Sequence, residues 1–258
     1  MEDRLAGLGF ESNVATEVLA VLPSEAIAVL LYGSRARGDV HAHSDVDILV
    51  VAERFGRTRA EGVVNVSTYS RDQMLSASGT LFGTHLARDG VILHDANGWL
   101  AGSLSEFRPT EPRQVLARVR DISVILGSSE TSRDRYIEGL VRLARYLLRT
   151  ALYAKALDPG PPCFSIAGLA ERFGQPELRT LLSSHVAVHA VASLAVLIDL
   201  EARISEVVGP IDENPYATLQ ALIVAEWDSN RDVANAALLA LSSDRTELPY
   251  AEIPRIVL

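Results

Sequence analysis

Two aspartates separated by one residue begin an apolar run in the stretch LLYGSRARGDVHAHSDVDILVV, residues 30–51. Side chains alternate along a strand, so Asp45 and Asp47 would share one face, about 6 to 7 Å apart. Two unpaired carboxylates are costly to bury, and a divalent cation removes that cost. Mg²⁺ takes oxygen ligands, commonly one or two carboxylates together with substrate phosphates. The spacing therefore predicts a metal-bound polyphosphate at this strand end, with Asp45 and Asp47 as the metal ligands.

A glycine and a serine lie between the preceding apolar run and this pair. Gly33 would let the backbone approach a phosphate closely. The next residues are predicted to begin a short helix, whose free N–H groups favour an anion. The Ser34 hydroxyl would add a donor, and Arg35 or Arg37 a charged one. Either feature alone is common in ordinary turns and strands, but together they predict phosphate binding by Gly33, Ser34 and Arg37.

The stretch GSRARGDVHAHSDVDILVV resembles the signature of the polymerase-beta-type nucleotidyltransferase superfamily, especially its minimal and antibiotic-modifying members. The resemblance covers residues 26 to about 95. It implies a mixed β-sheet with packed helices, Mg²⁺, and transfer of a nucleoside monophosphate from an NTP, expected to be ATP, to an acceptor hydroxyl. By position, it implies that Gly33 and Ser34 contact phosphates and that Asp45 and Asp47 are the catalytic metal ligands.

The resemblance departs from the family pattern at one position. The family usually carries a third carboxylate on the neighbouring strand, and VVNVS has Asn65 there. An amide has no charge and cannot take a proton. Glu61 would lie about 13 Å away along an extended strand, and Asp72 lies beyond the strand. Three readings stay open: a base from the helical half such as Glu138, a slow enzyme with an easily ionised acceptor, or a chain that binds nucleotide without turnover.

The surrounding elements follow from hydrophobic periodicity. Strands are predicted at 26–32, 44–53, 62–70 and 90–95, and helices at 10–22 and 71–89. Two prolines in 106–114 indicate a boundary, giving a nucleotidyltransferase domain at 1–108 and a helical domain at 109–258. In the latter, helices are predicted at 113–126, 133–157, 165–173, 176–208, 214–228 and 230–242. The helix at 176–208 is apolar nearly all round and is expected to be the buried centre. The predicted class is α+β, a mixed sheet flanked by helices plus an all-α bundle.

Basic residues at a spacing of seven mark one face of the first long helix of the helical half. Arg135, Arg142 and Arg149 could meet a phosphate-bearing partner, or they could form a solvated face paired with nearby acids. The Arg179–His185 spacing is similar to that of HEPN-type ribonucleases. A nucleotidyltransferase fused to such a ribonuclease domain is therefore one alternative function.

Composition limits the classes of partner and location. The chain has 258 residues, of which 24 are basic and 33 acidic, for a formal charge of −9. A nucleic-acid partner is not expected, since phosphate backbones attract basic surfaces. A single cysteine excludes an intrachain disulfide framework. No signal peptide or membrane span is expected, so the predicted location is the cytoplasm. The acceptor is expected to be a small molecule or a protein, and a homodimer remains open.

Overall fold

The structure used here is a computed structural model, which describes residues 1–38, 45–53, 59–157, 162–182 and 192–242. The chain divides into two compact units, Met1–Thr110 and Glu111–Leu258. The division lies close to the predicted boundary between residues 108 and 109. Within the described residues, no helix has both the length and the apolar character needed to cross a membrane.

The described part of the first unit builds one sheet with helices around it. In chain order the elements are α1 (Glu2–Gly7), α2 (Ser12–Val21), β1 (Ala28–Tyr32), α3 (Gly33–Arg37), β2 (Val46–Val51), β3 (Arg59–Glu61), β4 (Val64–Tyr69), α4 (Arg71–Ser76), α5 (Leu81–Asp89), β5 (Val91–Asp95) and α6 (Trp99–Ser105). The strand order is β3-β4-β2-β1-β5. The β2–β4 pair is parallel and the other neighbouring pairs are antiparallel. The predicted mixed sheet is confirmed.

One face of the sheet forms the main core of this unit. Val46, Ile48 and Val50 alternate along β2 and pack in one buried cluster with Leu5 of α1 and Val18 of α2. Each such side chain stabilises the fold by about 1.5–3 kcal/mol when fully buried. Because strand side chains alternate, the intervening residues of β2 point to the opposite sheet face. This is the face on which Asp47 lies.

The predicted helix at 71–89 is wrong as a single element. The chain forms two helices there, α4 and α5, with an extended residue, Thr80, before the second. The Thr80 side chain accepts a hydrogen bond from the Gly83 backbone N–H, which caps the new helix. The elements α1, β3 and α6 were not predicted, because they are too short to show a clear hydrophobic period.

The described part of the second unit consists of helices. They are α7 (Pro112–Ser123), α8 (Glu130–Arg135), α9 (Ile137–Leu157), α10 (Ile166–Arg172), α11 (Leu178–Leu181), α12 (Leu194–Val208), α13 (Leu219–Glu226) and α14 (Arg231–Leu241). The predicted helix at 133–157 is divided at Tyr136, the residue between α8 and α9. With the sheet of the first unit, this helical unit confirms the predicted α+β class.

The central helix of the second unit is α9 rather than the predicted helix at 176–208. α9 packs against α7, α12 and α14, and most of its residues are buried. The predicted long helix is wrong because Ser193 is extended and its side chain accepts a hydrogen bond from the Val196 backbone N–H, beginning α12 anew. The side chain of Ile198 in α12 is also exposed, which a central helix would not allow.

Candidate functional site

The central strand β2 brings Asp47 between two neighbours that come from distant parts of the chain. In the antiparallel β1–β2 pair, Asp47 lies opposite Tyr32, the residue before Gly33. In the parallel β2–β4 pair, Asp47 lies opposite Asn65. The Gly-Ser turn and the Asn65 position therefore meet at Asp47, although both β2 and β3 lie between them in the sequence.

Alternation puts the polar side chains on one side of the sheet. Val46, Val64 and Val66 belong to the core cluster on the other face, so Asp47 and Asn65 point away from that core. The Asn65 Nδ2 donates to Asp45 Oδ2 at 3.2 Å and lies 3.5 Å from Asp47 Oδ1. Both carboxylates thus reach one amide group. The predicted common face of the two aspartates agrees with this contact.

Gly33 packs directly against the Asp47 carboxylate. Its φ is +78°, a conformation that favours glycine. A Cβ atom at this position would lie 2.4 Å from Asp47 Oδ2, which is well inside van der Waals contact. Gly33 also begins the predicted short helix, α3, in which Ser34 is the second residue and Arg37 the last. The turn, the helix and the carboxylate therefore form one compact group.

Burial makes the Asp47 carboxyl harder to ionise than an ordinary aspartate. The pKa of Asp47 is raised from 3.8 to about 6, chiefly by burial and also by the charge of Asp45. The Asn65 hydrogen bond and the Arg37 charge act in the opposite direction and lower it. On balance the surroundings therefore oppose ionisation of the Asp47 carboxyl, and further positive charge beside it would favour ionisation.

Arg37 contacts a buried histidine that the sequence analysis did not select. Arg37 Nη1 lies 2.9 Å from His85 Nε2, and His85 on α5 is only 2% exposed. The pKa of His85 is lowered to about 3, chiefly by burial and also by the charges of Arg37 and Arg88. The imidazole is therefore neutral at physiological pH. The only sequence signal was a lone histidine among the apolar residues of a predicted helix.

The donors available for a metal are two carboxylates and one amide. Among the residues the structure describes, no group of three or more His, Cys, Asp or Glu side chains could hold a metal ion. Asp45 is exposed and Asp47 is half-buried at the end of its strand. Two acidic ligands that leave other coordination positions to phosphates are typical of Mg²⁺ sites. The arrangement can thus accept one divalent cation that a polyphosphate helps to bind.

The other residues discussed from the sequence belong to different places. Asp72 lies in the first turn of α4, and Glu138 is an exposed residue in the first turn of α9, in the second unit. The side chain of Glu61 and the whole of His185 lie outside the described residues, whereas Arg179 lies in α11. A base from Glu138 and the ribonuclease-like pair therefore remain predictions.

The predicted basic face is divided between two helices, because Arg135 ends α8 whereas Arg142 belongs to α9. Both arginines have structural uses within the second unit. Arg142 Nη2 donates to the carbonyl oxygens of Leu239 and Ser242, at 2.7 and 3.1 Å, at the end of α14. A cation at a helix C-terminus satisfies carbonyl groups that have no partner in the helix. Arg135 stacks over the ring of Tyr136. These contacts explain Arg142 and Arg135 without a phosphate-bearing partner.

Comparison with known proteins gives one family match. Residues 17–85 match the model of the family described as Polymerase beta, Nucleotidyltransferase. No curated protein matches the chain. Among solved structures, a nucleotidyltransferase-like protein from Exiguobacterium sibiricum 255-15 is 14% identical, with 85% of this chain and 79% of that chain covered and a TM-score of 0.28.

The family match covers the functional elements just described. It extends from α2 to His85 on α5 and includes the turn at Gly33, both aspartates and Asn65. The TM-score with the Exiguobacterium structure is too low for that structure to add to the family match. The part of the first unit at residues 17–85 is therefore similar to the polymerase beta nucleotidyltransferase domain, as the resemblance in the sequence predicted.

Proposed function

We propose that this chain is a nucleotidyltransferase that moves a nucleoside monophosphate from an Mg²⁺-bound NTP, expected to be ATP, to a hydroxyl group of a small molecule or a protein. The observation that carries the proposal is the meeting of Asp45, Asp47 and Asn65 directly beside Gly33. The family match at residues 17–85 supports the same class of chemistry.

Mg²⁺ fits the donor set of this site. Asp45 and Asp47 would hold it, because both carboxylates reach the same point on one sheet face and the pKa of Asp47 is raised by burial and by Asp45. When bound, Mg²⁺ would neutralise phosphate charge and orient the triphosphate. Asn65 presents its nitrogen to the carboxylates, so we assign it an orienting role and name it as the degenerate third-acid position.

The protein groups around the cation would bind and orient the phosphates. Gly33 leaves the space that a side chain would fill beside Asp47. The Ser34 hydroxyl can donate to a phosphate oxygen, and Arg37 supplies positive charge that already acts on Asp47. Fixed donors of this kind accelerate phosphoryl-group chemistry by positioning and electrostatic stabilisation.

The reaction itself is a substitution at the α-phosphorus of the NTP. The acceptor oxygen forms a bond to that phosphorus, the bond to the β-phosphate oxygen breaks, and pyrophosphate leaves. The hydroxyl proton passes to a base. A positioned base is worth roughly 10²- to 10⁴-fold in rate, and Asn65 cannot serve as one.

The test is transfer from α-labelled ATP to a panel of hydroxyl acceptors, including aminoglycosides, lincosamides and proteins. The proposal predicts Mg²⁺-dependent label on one acceptor class, with one pyrophosphate released for each transfer. The Asp45→Asn, Asp47→Asn double variant should lose this activity while keeping its fold by circular dichroism. Equal transfer by the folded double variant would overturn the proposal.

A catalytically degenerate member, which binds nucleotide or a protein partner without turnover, is a second candidate. The position of Asn65 favours it, because an amide replaces the acid expected on β4 and donates to the remaining carboxylates. Tight Mg²⁺–ATP binding with no pyrophosphate release across the acceptor panel would support this candidate. Any stoichiometric transfer would exclude it.

A further inference from the structure

His85 lies behind the proposed phosphate-binding arginine rather than in the cluster of aspartates. The α5 helix that carries it packs against α3, whose last residue is Arg37. The ring is almost completely buried and meets Tyr32 of β1 edge-on, with ring centroids 6.2 Å apart. Its position in space is therefore fixed by packing on one side and by the guanidinium on the other.

The chemistry of the contact determines the tautomer of the ring. A guanidinium has donors and no acceptor, so the 2.9 Å contact requires Arg37 Nη1 to donate to His85 Nε2. The proton of the neutral imidazole must then be on Nδ1. Asp89 Oδ2 is 3.6 Å from the same Nε2, which is too far for a hydrogen bond. Asp89 also forms an ion pair with Arg88.

A neutral acceptor differs from a carboxylate in what it leaves on the arginine. A carboxylate acceptor would bring a negative charge to the guanidinium, whereas a neutral imidazole orients the guanidinium by one hydrogen bond and brings no charge. The low pKa of His85 keeps the ring neutral across the physiological range, in agreement with this role.

We infer that His85 is a positioning residue that holds the Arg37 guanidinium for the triphosphate of the bound NTP through the hydrogen bond that Arg37 Nη1 donates to Nε2 of the neutral ring. The inference rests on the proposed function, because it takes Arg37 as a phosphate ligand. His85 acts through Arg37 and touches neither the phosphates nor the acceptor.

The experiment compares two variants of His85 in the full-length protein. His85→Gln keeps a neutral acceptor near the position of Nε2, whereas His85→Leu keeps volume and removes the acceptor. Titration calorimetry with Mg²⁺–ATP and with inorganic tripolyphosphate should show roughly 10-fold weaker binding for His85→Leu, as expected for one lost charged hydrogen bond. His85→Gln should bind within about 3-fold of the parent.

Two controls separate positioning from a structural role. Thr84 lies on the same helix as His85, and Thr84→Val removes the 2.6 Å contact between its hydroxyl and that of Thr110. This variant should lose stability without weaker tripolyphosphate binding. In an Arg37→Ala background, His85→Leu should cause no further loss of affinity. An equal loss in both backgrounds would mean that His85 does not act through Arg37 and would overturn the inference.

A measurement on the unaltered protein covers the case in which His85→Leu does not fold. Nitrogen NMR of the His85 ring should show a neutral imidazole protonated at Nδ1, with Nε2 as the acceptor. The Nε2–H tautomer or a charged ring at pH 7 would overturn the inference. If the parent protein binds neither Mg²⁺–ATP nor tripolyphosphate, the proposed function fails as well. If it binds both and His85→Leu binds them equally well, only the inference about His85 fails.

Discussion

Asn65 changes the electrostatics of the aspartate pair without carrying a charge. Its amide nitrogen faces Asp45 and Asp47, and this hydrogen bond lowers the pKa of Asp47 while burial and the charge of Asp45 raise it. A neutral donor therefore offsets part of the repulsion between the two carboxylates. A carboxylate at position 65 would remove this donor and add a third negative charge.

We expect Asn65→Asp to lower the stability of the fold and to raise the affinity for Mg²⁺. In Mg²⁺-free buffer at pH 7.5 the variant should lose about 1 to 2 kcal/mol of unfolding free energy, since a hydrogen bond to a charged group is lost and a like charge is added. Its Mg²⁺ affinity should rise. Chemical denaturation and calorimetry measure the two effects.

Asn65→Ala is the matched control for both effects of Asn65→Asp. It removes the same hydrogen bond and adds no charge, so its stability should fall without a gain in Mg²⁺ affinity. If Asn65→Asp binds Mg²⁺ no more tightly than Asn65→Ala does, position 65 does not face the metal site.

The Asp47 carboxyl should make stability fall as pH rises. Its pKa is about 6 in the folded chain and 3.8 ordinarily, so between these values the folded state binds more protons than the unfolded state. The stabilising contribution is complete below about pH 4 and is lost as pH rises through about 6, by roughly 2 to 3 kcal/mol in total. In Asp47→Asn this loss should disappear.

The measurement is denaturant unfolding of the parent and of Asp47→Asn in steps from pH 4 to 8. His85 has the opposite effect, because its low pKa gives stability that is present above 6.5 and is lost as pH falls toward about 3. The difference between the two proteins cancels the His85 contribution. A difference that stays constant with pH would contradict the burial of Asp47.

At the scale of single residues, the sequence predicted the pair of aspartates but not His85, which contacts Arg37. Asp45 and Asp47 could be assigned to one face because strand alternation is regular, and Asn65 because it sits between two apolar strand residues. His85 could not be assigned, because its partner Arg37 is 48 residues away in the chain. Helix periodicity marks position 85 as buried but does not say which group lies opposite.

Among the elements, the β1–α3 turn has the strictest steric requirement. Gly33 begins α3 and Gly38 follows it, and their φ angles are almost equal, at +78° and +77°. Only Gly33 lies against Asp47, whereas a Cβ at Gly38 meets no described atom within 4 Å. A side chain would therefore strain the backbone similarly at both glycines, but only at Gly33 would it also contact Asp47.

We expect Gly33→Ala to be more damaging than Gly38→Ala. Each substitution should cost about 1 to 3 kcal/mol for a positive φ, and Gly33→Ala should also displace the Asp47 carboxylate. Mg²⁺–ATP affinity should therefore fall for Gly33→Ala and stay near the parent value for Gly38→Ala. Thermal unfolding and calorimetry test this, and equal affinities in the two variants would show that the contact with Asp47 has no part in binding.

The strands were easier to predict than the helices. The runs at 26–32, 44–53 and 62–70 are short, apolar and β-branched, which is typical of buried strands. Helix length was overestimated where a capping residue interrupts an apolar period, at Thr80 and at Ser193. Because an N-cap depends on local backbone geometry, a hydrophobic pattern that runs through it hides the interruption.

At the scale of the molecule, each of the two units is compact, and the second depends on close helix packing. A Cβ on Gly139 of α9 would lie 1.9 Å from the carbonyl oxygen of Ala240 of α14. These backbones can approach only because residue 139 lacks a side chain. The proposed nucleotide site, in contrast, uses residues of the first unit alone.

Gly139→Ala should therefore loosen the second unit and leave nucleotide binding unchanged. We expect a loss of about 1 to 3 kcal/mol from overpacking, faster amide hydrogen exchange in α9 and α14, and unchanged exchange in β2 and β4. Gly102→Ala in α6 is the control for overpacking, because a Cβ at this position meets no described atom within 4 Å. Weaker Mg²⁺–ATP binding by Gly139→Ala would show that the second unit contributes to the site.

The most direct test of the central claim is calorimetric titration of the intact protein with ATP, with and without Mg²⁺, for the parent and for the Asp45→Asn, Asp47→Asn variant. The account predicts binding by the parent that requires Mg²⁺ and no detectable binding by the folded variant. Parent-like, Mg²⁺-dependent binding by that variant would contradict the claim that these two carboxylates hold the metal and, with it, the nucleotide.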